Sequence, residues 1–190
     1  MGGLNTALKF GGGADTDLEL STAIVAASYP VGERTLVRAG GGWVHDGTLA
    51  TPGEETFTFE SGGLAFAGVD RRLGDGDGWK PSTDLSFTLG FTWGRTVGTG
   101  EADADYRAAD LRVGGRATWI VGRSFFPYAD LRLFGGPVSW DRESGSRTGS
   151  DVHHYQFALG AALKLGPVVL AVEGAPAGEM GASAGIGTAW

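Results

Sequence analysis

Between Ser82 and Val97 the chain alternates without a slip. Leu85, Phe87, Leu89, Phe91 and Trp93 fall on one side, and Ser86, Thr88, Gly90, Thr92 and Gly94 on the other. A period of two over this length is a β-strand; a helix would repeat its apolar residues at three- and four-residue spacing. The faces differ in kind, one greasy and aromatic, the other small and polar. A soluble sandwich would pack the greasy face against a second sheet. A membrane barrel turns it to lipid and lines its lumen with the other face.

The same pattern recurs along the chain. Leu4, Thr6, Leu8 and Phe10 alternate with Asn5, Ala7 and Lys9; Leu18, Leu20, Thr22 and Ile24 alternate with Glu19, Ser21 and Ala23. Leu111, Val113, Ala117 and Trp119 oppose Asp110, Arg112, Gly114, Arg116 and Thr118. Two places lose the phase. Phe57 and Phe59 disagree with Leu64 and Phe66 across Ser61-Gly62-Gly63, and Leu131 and Leu133 disagree with Val138 and Trp140 across Gly135-Gly136. A β-bulge at each glycine pair would restore it. The expected fold is therefore all-β, an antiparallel up-and-down transmembrane β-barrel occupying residues 1–190 as one domain. Ten strands are expected, near 3–11, 17–29, 35–46, 56–70, 83–95, 105–121, 126–140, 152–165, 167–174 and 180–190. An eight-strand count, with one hairpin outside the wall, is the alternative.

Composition closes off other classes. The 190 residues include 35 Gly but no Cys, which removes disulfides, thiolate metal sites and cysteine nucleophiles together. A net charge of -7 excludes a basic nucleic-acid face. No run approaches the 18 apolar residues of a membrane helix; the longest clean stretch is about Val168 to Val172. Met1-Gly2-Gly3 leads straight into patterned sequence, as though a leader had been removed.

With both termini placed in the periplasm, the aromatics sort by height. Trp43, Phe57, Trp93, Tyr106, Trp140 and Tyr155 fall near the outer rim, while Tyr29, Trp119, Phe125, Phe126, Tyr128 and Trp190 fall near the inner one. Rings that are apolar in body and polar at the edge collect at headgroup level. Trp43, Trp93, Trp119, Trp140, Tyr155 and Trp190 are the expected interface aromatics. The outer gaps 11–17, 46–55, 94–105, 141–151 and 174–179 hold twelve acidic residues against three basic ones. The expected lumen face carries Lys9, Glu19, Arg38, Glu60, Asp110, Arg112, Arg116, Asp130, Arg132, Lys164 and Glu173, and the other charges fall in turns and at strand ends. Such charges, enclosed, must pair or stay hydrated.

The last residues, Ser183-Ala-Gly185-Ile-Gly-Thr188-Ala-Trp190, resemble the C-terminal signal of bacterial outer-membrane proteins: a polar residue, then Gly, then alternating apolar residues and a final aromatic. Ser183, Gly185 and Trp190 match; Thr188 is polar where that pattern is apolar. The resemblance to small bacterial outer-membrane β-barrel proteins implies an outer-membrane location, contact with outer-membrane lipid, and recognition of the C-terminal strand by the barrel-assembly machinery. It also implies an envelope protein partner and no cofactor.

Two functional readings follow for the lumen. The first is a charged network that fills the barrel and satisfies itself, leaving a structural or interaction role. The alternative is a narrow, porin-like channel for ions or small solutes. A third reading is catalytic. Asp151-Val152-His153 and Asp103-Ala104-Asp105 resemble the paired acids and histidine of omptin proteases, ten-stranded barrels with an active site at the outer rim. A histidine oriented by a carboxylate can act as a general base. Asp151, His153, Asp103 and Asp105 are thus the candidate catalytic residues, weighed against solvated rim residues. Asp-x-Asp also recurs at Asp15/Asp17 and Asp75/Asp77. No His-x-Ser pair supports a lipid-modifying barrel enzyme, and Gly74-Asp75-Gly76-Asp77-Gly78 reads as a turn rather than a calcium loop. The chain is read as not an enzyme, with no metal.

Overall fold

Alternating sequence becomes strand after strand. The computed structural model describes residues 1–11, 13, 15–98, 103–143 and 145–188. Within them lie β1 (Gly2–Phe10), β2 (Asp15–Pro30), β3 (Thr35–Ala50), β4 (Thr56–Gly74), β5 (Ser82–Val97) and β6 (Ala104–Thr118). They continue as β7 (Phe125–Gly135), β8 (Val138–Arg142), β9 (Gly145–Asp151), β10 (Tyr155–Leu165), β11 (Val168–Gly178) and β12 (Met180–Thr188). Antiparallel pairing runs from neighbour to neighbour, and β12 closes on β1 through Gly2↔Ser183 to Asn5↔Met180.

The twelve strands make ten staves. β7 and β8 are one stave broken at Gly136-Pro137, since β6 pairs β7 below and β8 above. β9 and β10 are likewise one stave broken at 152–154. The result is a closed ten-stranded antiparallel barrel.

The ring changes size with height. β10 pairs β11, but β9 leaves that line and pairs β1 instead, through Leu8↔Asp151 to Phe10↔Gly149. The β11–β12 hairpin ends beneath this crossing. Below it the wall counts ten staves. Above it the ring is β1, β2, β3, β4, β5, β6, β8 and β9, which is eight. The expected ten-stranded barrel is thus the one seen; the eight-strand alternative, with a hairpin outside the wall, is not, since β1–β2 and β11–β12 both belong to the wall and only the collar counts eight. The hairpin turns on Gly178 at φ 79, where a Cβ would collide with the Tyr155 carbonyl.

Polarity inverts at the same level. In the ten-stranded part the apolar row faces out: Leu85, Phe87, Leu89, Phe91 and Trp93 are 43–56% exposed. From Leu85 to Trp93 is about 26 Å of strand, or about 20 Å along a barrel axis tilted by about 40°. In the eight-stranded collar the apolar residues face in. Leu8, Phe10, Leu18, Leu20, Val44, Leu49, Phe57, Phe59, Tyr106, Val138 and Trp140 form one buried cluster. An eight-strand interior is just wide enough for side chains to fill it, so a dry core is its natural content.

This inversion corrects several expectations. The rows Leu4–Phe10 and Leu18–Ile24 share a face, as read, but the face is inward, which turns Lys9 and Glu19 outward. A bulge does lie beside Ser61-Gly62-Gly63, at Glu60, and it sets Phe57 and Phe59 in phase with Leu64 and Phe66 on the inside. No bulge is needed at Gly135-Gly136: Phe134, Val138 and Trp140 simply keep the inward phase across the break. Gaps 141–151 and 174–179, read as loops, are largely β8, β9 and the end of β11.

Candidate functional site

The charged residues of the lower lumen come from six staves whose inward positions face one another. On β6 the inward row is Asp110, Arg112, Gly114 and Arg116; on β7 it is Asp130 and Arg132. Register sets Arg116 opposite Asp130. The Arg116 Nε and Nη2 both donate to Asp130 Oδ2, at 3.0 and 2.7 Å. Arg132 Nη2 donates to the same oxygen at 2.9 Å and to Glu173 Oε2 of β11 at 2.8 Å. Its Nη1 donates to Gln156 Oε1 of β10 at 2.7 Å. Arg112 donates to Asp110 and, at 3.1 Å, to Glu179 Oε2. Arg116 and Arg112 also stack on the rings of Tyr128 and Phe134, at 4.3 and 4.8 Å.

Inward glycines make this packing possible. A Cβ on Gly160 would strike the Tyr128 ring, and one on Gly90 would strike the Asp110 carboxylate. Long neighbours fill the space directly over Gly160 and Gly90, while a cavity of about 330 Å³ is lined in part by Gly90, Asp110, Arg112, Arg132, Gln156 and Glu173.

Of the expected lumen charges, Arg38, Asp110, Arg112, Arg116, Asp130, Arg132 and Glu173 sit in this interior. Arg38 donates to Thr88 Oγ1 at 2.7 Å and lies 3.3 Å from Asp70. Lys164 is exposed near the inner mouth. Lys9, Glu19 and Glu60 are a correction: all three lie on the outer surface of the collar, where Glu19 accepts from Asn5. Collar interior is too narrow and dry for them.

Sequence reasoning missed Glu179, Asp70, Asp84 and Gln156. Glu179 is 1% exposed at the tip of the β11–β12 hairpin. Its backbone N–H donates to the Tyr155 carbonyl at 3.0 Å, and its own carbonyl accepts from Gln156 Nε2 at 2.9 Å. A loop reading hid it, because nothing local says that β9 will close over this turn.

Above the network lies the apolar seal. Trp140, fully buried, meets Phe57 edge-on at 4.8 Å and Phe10 at 5.9 Å. Its indole N–H donates to Thr96 Oγ1 at 3.0 Å. Arg142 covers Phe57 and Trp140 from outside and donates to Glu54 at 2.7 Å. That hydrogen bond, with Arg147 beside it, holds the Glu54 carboxyl below its ordinary range. Burial, reinforced by Asp151, Glu179 and Asp110, raises the Tyr106 phenol well above its ordinary value.

The interface aromatics divide. Trp43, Trp93 and Tyr155 point outward at the top of the apolar row, and Trp119 is half-buried near the inner end. Trp140 is corrected from interface to seal, as are Phe57 and Tyr106, because they belong to the inverted collar. Tyr128 points inward under Arg116. Trp190 lies outside the described residues.

The candidate catalytic residues are not brought together. Asp151 pairs with inward Leu8 and shares its face, and burial raises its carboxyl above the ordinary range. Asp103 and Asp105 are exposed on the outer side, bound to Arg95 and Arg107, each at 3.3 Å. His153 is exposed, its ring 6.4 Å from that of Tyr155. The wall separates Asp151 from Asp103 and Asp105. Among the described residues no cluster of three or more His, Asp or Glu side chains could hold a metal ion. Asp75 binds Arg34, and Asp77 closes a turn with Lys80.

Between network and inner mouth lies a cavity of about 770 Å³, lined in part by Arg34, Arg38, Arg72, Arg116, Asp70 and Asp84. Its lining also includes Pro30, Gly32 and Glu33 of the β2–β3 turn and Arg112, Asp130 and Arg132 of the network.

No protein-family model matches this sequence, and no curated protein matches it. Among solved structures it is similar to the translocator domain of autotransporter NalP from Neisseria meningitidis. The identity is 15% over 100% of this chain and 76% of that one, with a TM-score of 0.53. At that identity the likeness is one of fold, an antiparallel β-barrel.

Proposed function

We propose that this chain is a bacterial outer-membrane β-barrel with a structural or interaction role and no through-path. The observation that carries it is the change of polarity at the Trp43–Trp93–Tyr155 level. Below, an apolar exterior surrounds paired charges; above, charges surround an apolar core. Only a chain leaving hydrocarbon for water at that height needs both arrangements. The ten-stranded part spans the bilayer and the collar stands in the aqueous exterior. The Trp140 seal argues against the channel reading. Outer-membrane lipid, the barrel-assembly machinery at the C-terminal strand and an envelope protein are the partners this reading expects.

The test uses single-tryptophan variants in liposomes of brominated phosphatidylcholine. Trp43 and Trp93 should be quenched and Trp140 should not. Equal quenching of all three, or a chain that stays soluble without detergent, refutes the bilayer placement. Step-like current from the unmodified chain in a planar bilayer refutes the closed lumen.

A further inference from the structure

The cavity of about 330 Å³ beside Gly90 has two unlike halves. Every lining residue from β1 to β5 is uncharged, and Leu4, Leu20, Leu64 and Phe66 give that half its apolar surface. Leu20 belongs to the seal and Leu4 packs against it. The charges in the lining all come from β6, β7 and β11: Asp110, Arg112, Arg132 and Glu173. Small-molecule sites occupy roughly 300–1,000 Å³ and set a few placed polar groups in an apolar wall, which is the composition here. β4, β5 and β6 are flanked by strands on both edges at this height, so the wall carrying Leu64, Gly90 and Asp110 is continuous. Thr88, Arg112 and Arg132 line both this cavity and the larger one toward the inner mouth, so a solute in the larger cavity is already beside the smaller.

One acceptor in the lining is unused. Asp110 gives Oδ2 to Arg112, while its Oδ1 stands over Gly90 and takes no hydrogen bond from the described residues. Any side chain at position 90 would collide with that oxygen, so the glycine keeps it open to the cavity. Thr92, the next inward residue of β5, lines the same side. The ion pairs around Asp110 are also unequal in number. Asp110, Asp130, Glu173 and Glu179 meet Arg112, Arg116 and Arg132, which leaves one carboxylate in excess. An uncompensated enclosed charge is costly, and a cation that reaches Oδ1 offsets it.

We propose that this cavity binds a small primary amine with an apolar body, the ammonium on Asp110 Oδ1 and the body against Leu20, Leu64 and Phe66. An anionic head is disfavoured, because Arg112 and Arg132 already donate to Asp110, Glu179, Asp130, Glu173 and Gln156. The inference goes beyond a structural or interaction role and needs no through-path.

The full chain, purified in a maltoside detergent, is titrated calorimetrically with 2-phenylethylamine, 2-phenylethanol and 3-phenylpropionate, which share a ring and differ in head group. The amine should bind at one site per chain, at least tenfold more tightly than the alcohol or the carboxylate. Asp110→Asn should weaken the amine at least tenfold. Thr92→Leu fills the cavity without changing its charge and should weaken it as much. Each variant is compared once its circular dichroism matches that of the unmodified chain; should Asp110→Asn fail to fold, Thr92→Leu decides. Absent binding of the amine, or equal binding of the alcohol or the carboxylate, overturns the proposal. So does amine binding undiminished in either folded variant, which would place the amine on the acidic exterior instead. The readout needs neither bilayer nor partner, so its failure is distinct from failure of the quenching and current tests.

Discussion

Replacing Trp140 by Ala removes the centre of the seal. The indole is fully buried, and burying a ring of its size shields roughly 150–250 Å². At about 25 cal/mol per Å² that is worth ~4–6 kcal/mol by transfer alone. The edge-on contact with Phe57 adds about 0.5–1.5 kcal/mol. Thr96 Oγ1 loses the indole N–H but still donates to the Ala104 carbonyl at 3.2 Å, which limits the polar cost. Partial collapse of Phe10 and Phe57 into the space lowers the total, and large aromatic-to-Ala changes in cores cost ~3–5 kcal/mol. Trp140→Ala should therefore lose about that much in urea unfolding from detergent micelles, with an unchanged m-value. Trp93→Ala, which deletes the same ring from the outward face, should lose far less. A loss under about 1 kcal/mol for Trp140→Ala, or equal losses for the two, would refute the placement of a dry core inside the collar.

Three further outcomes follow from the same geometry. Arg132→Met leaves Asp130 to Arg116 alone and Glu173 with only Arg116 at 3.6 Å, so it should cost less than the ~3–5 kcal/mol of a fully orphaned buried charge, partly recovered when Glu173→Gln is added; a double-mutant cycle with no coupling would count against the network. Leu89→Arg, on the outward apolar row, should cost about 2–4 kcal/mol in a bilayer, while Glu19→Arg on the collar exterior should be near neutral, and unfolding from liposomes distinguishes them. Asp151 is raised by burial, with Asp110 adding to it, so its ionisation opposes folding above its ordinary value. Asp151→Asn should stabilise the barrel at neutral pH, and that advantage should fade as pH falls through the native carboxyl's raised value; a pH-independent difference would contradict the assignment.

Local spacing determined a great deal. Leu85 to Trp93 could only be a strand, and Arg112, Arg116, Asp130 and Arg132 could only share the opposite face from Leu111, Val113, Leu131 and Leu133. Alternation is a property of the backbone itself, so strand identity and face membership need no tertiary partner. Which face meets the interior is another matter. Leu8, Phe10, Leu18 and Leu20 alternate as cleanly as the β5 row, and their own sequence is silent on whether water or lipid lies behind them.

That choice was made by the crossing of β9 onto β1. It narrows the ring from ten staves to eight, leaves no room for hydrated charge, and so turns Lys9, Glu19 and Glu60 out and Trp140 in. The pairing joins residues about 140 positions apart, Leu8 with Asp151, and no short window of sequence contains it. The same long-range event buried Glu179 under the crossing. Period and composition settle what each strand is; the circumference of the closed ring settles which of its sides is wet.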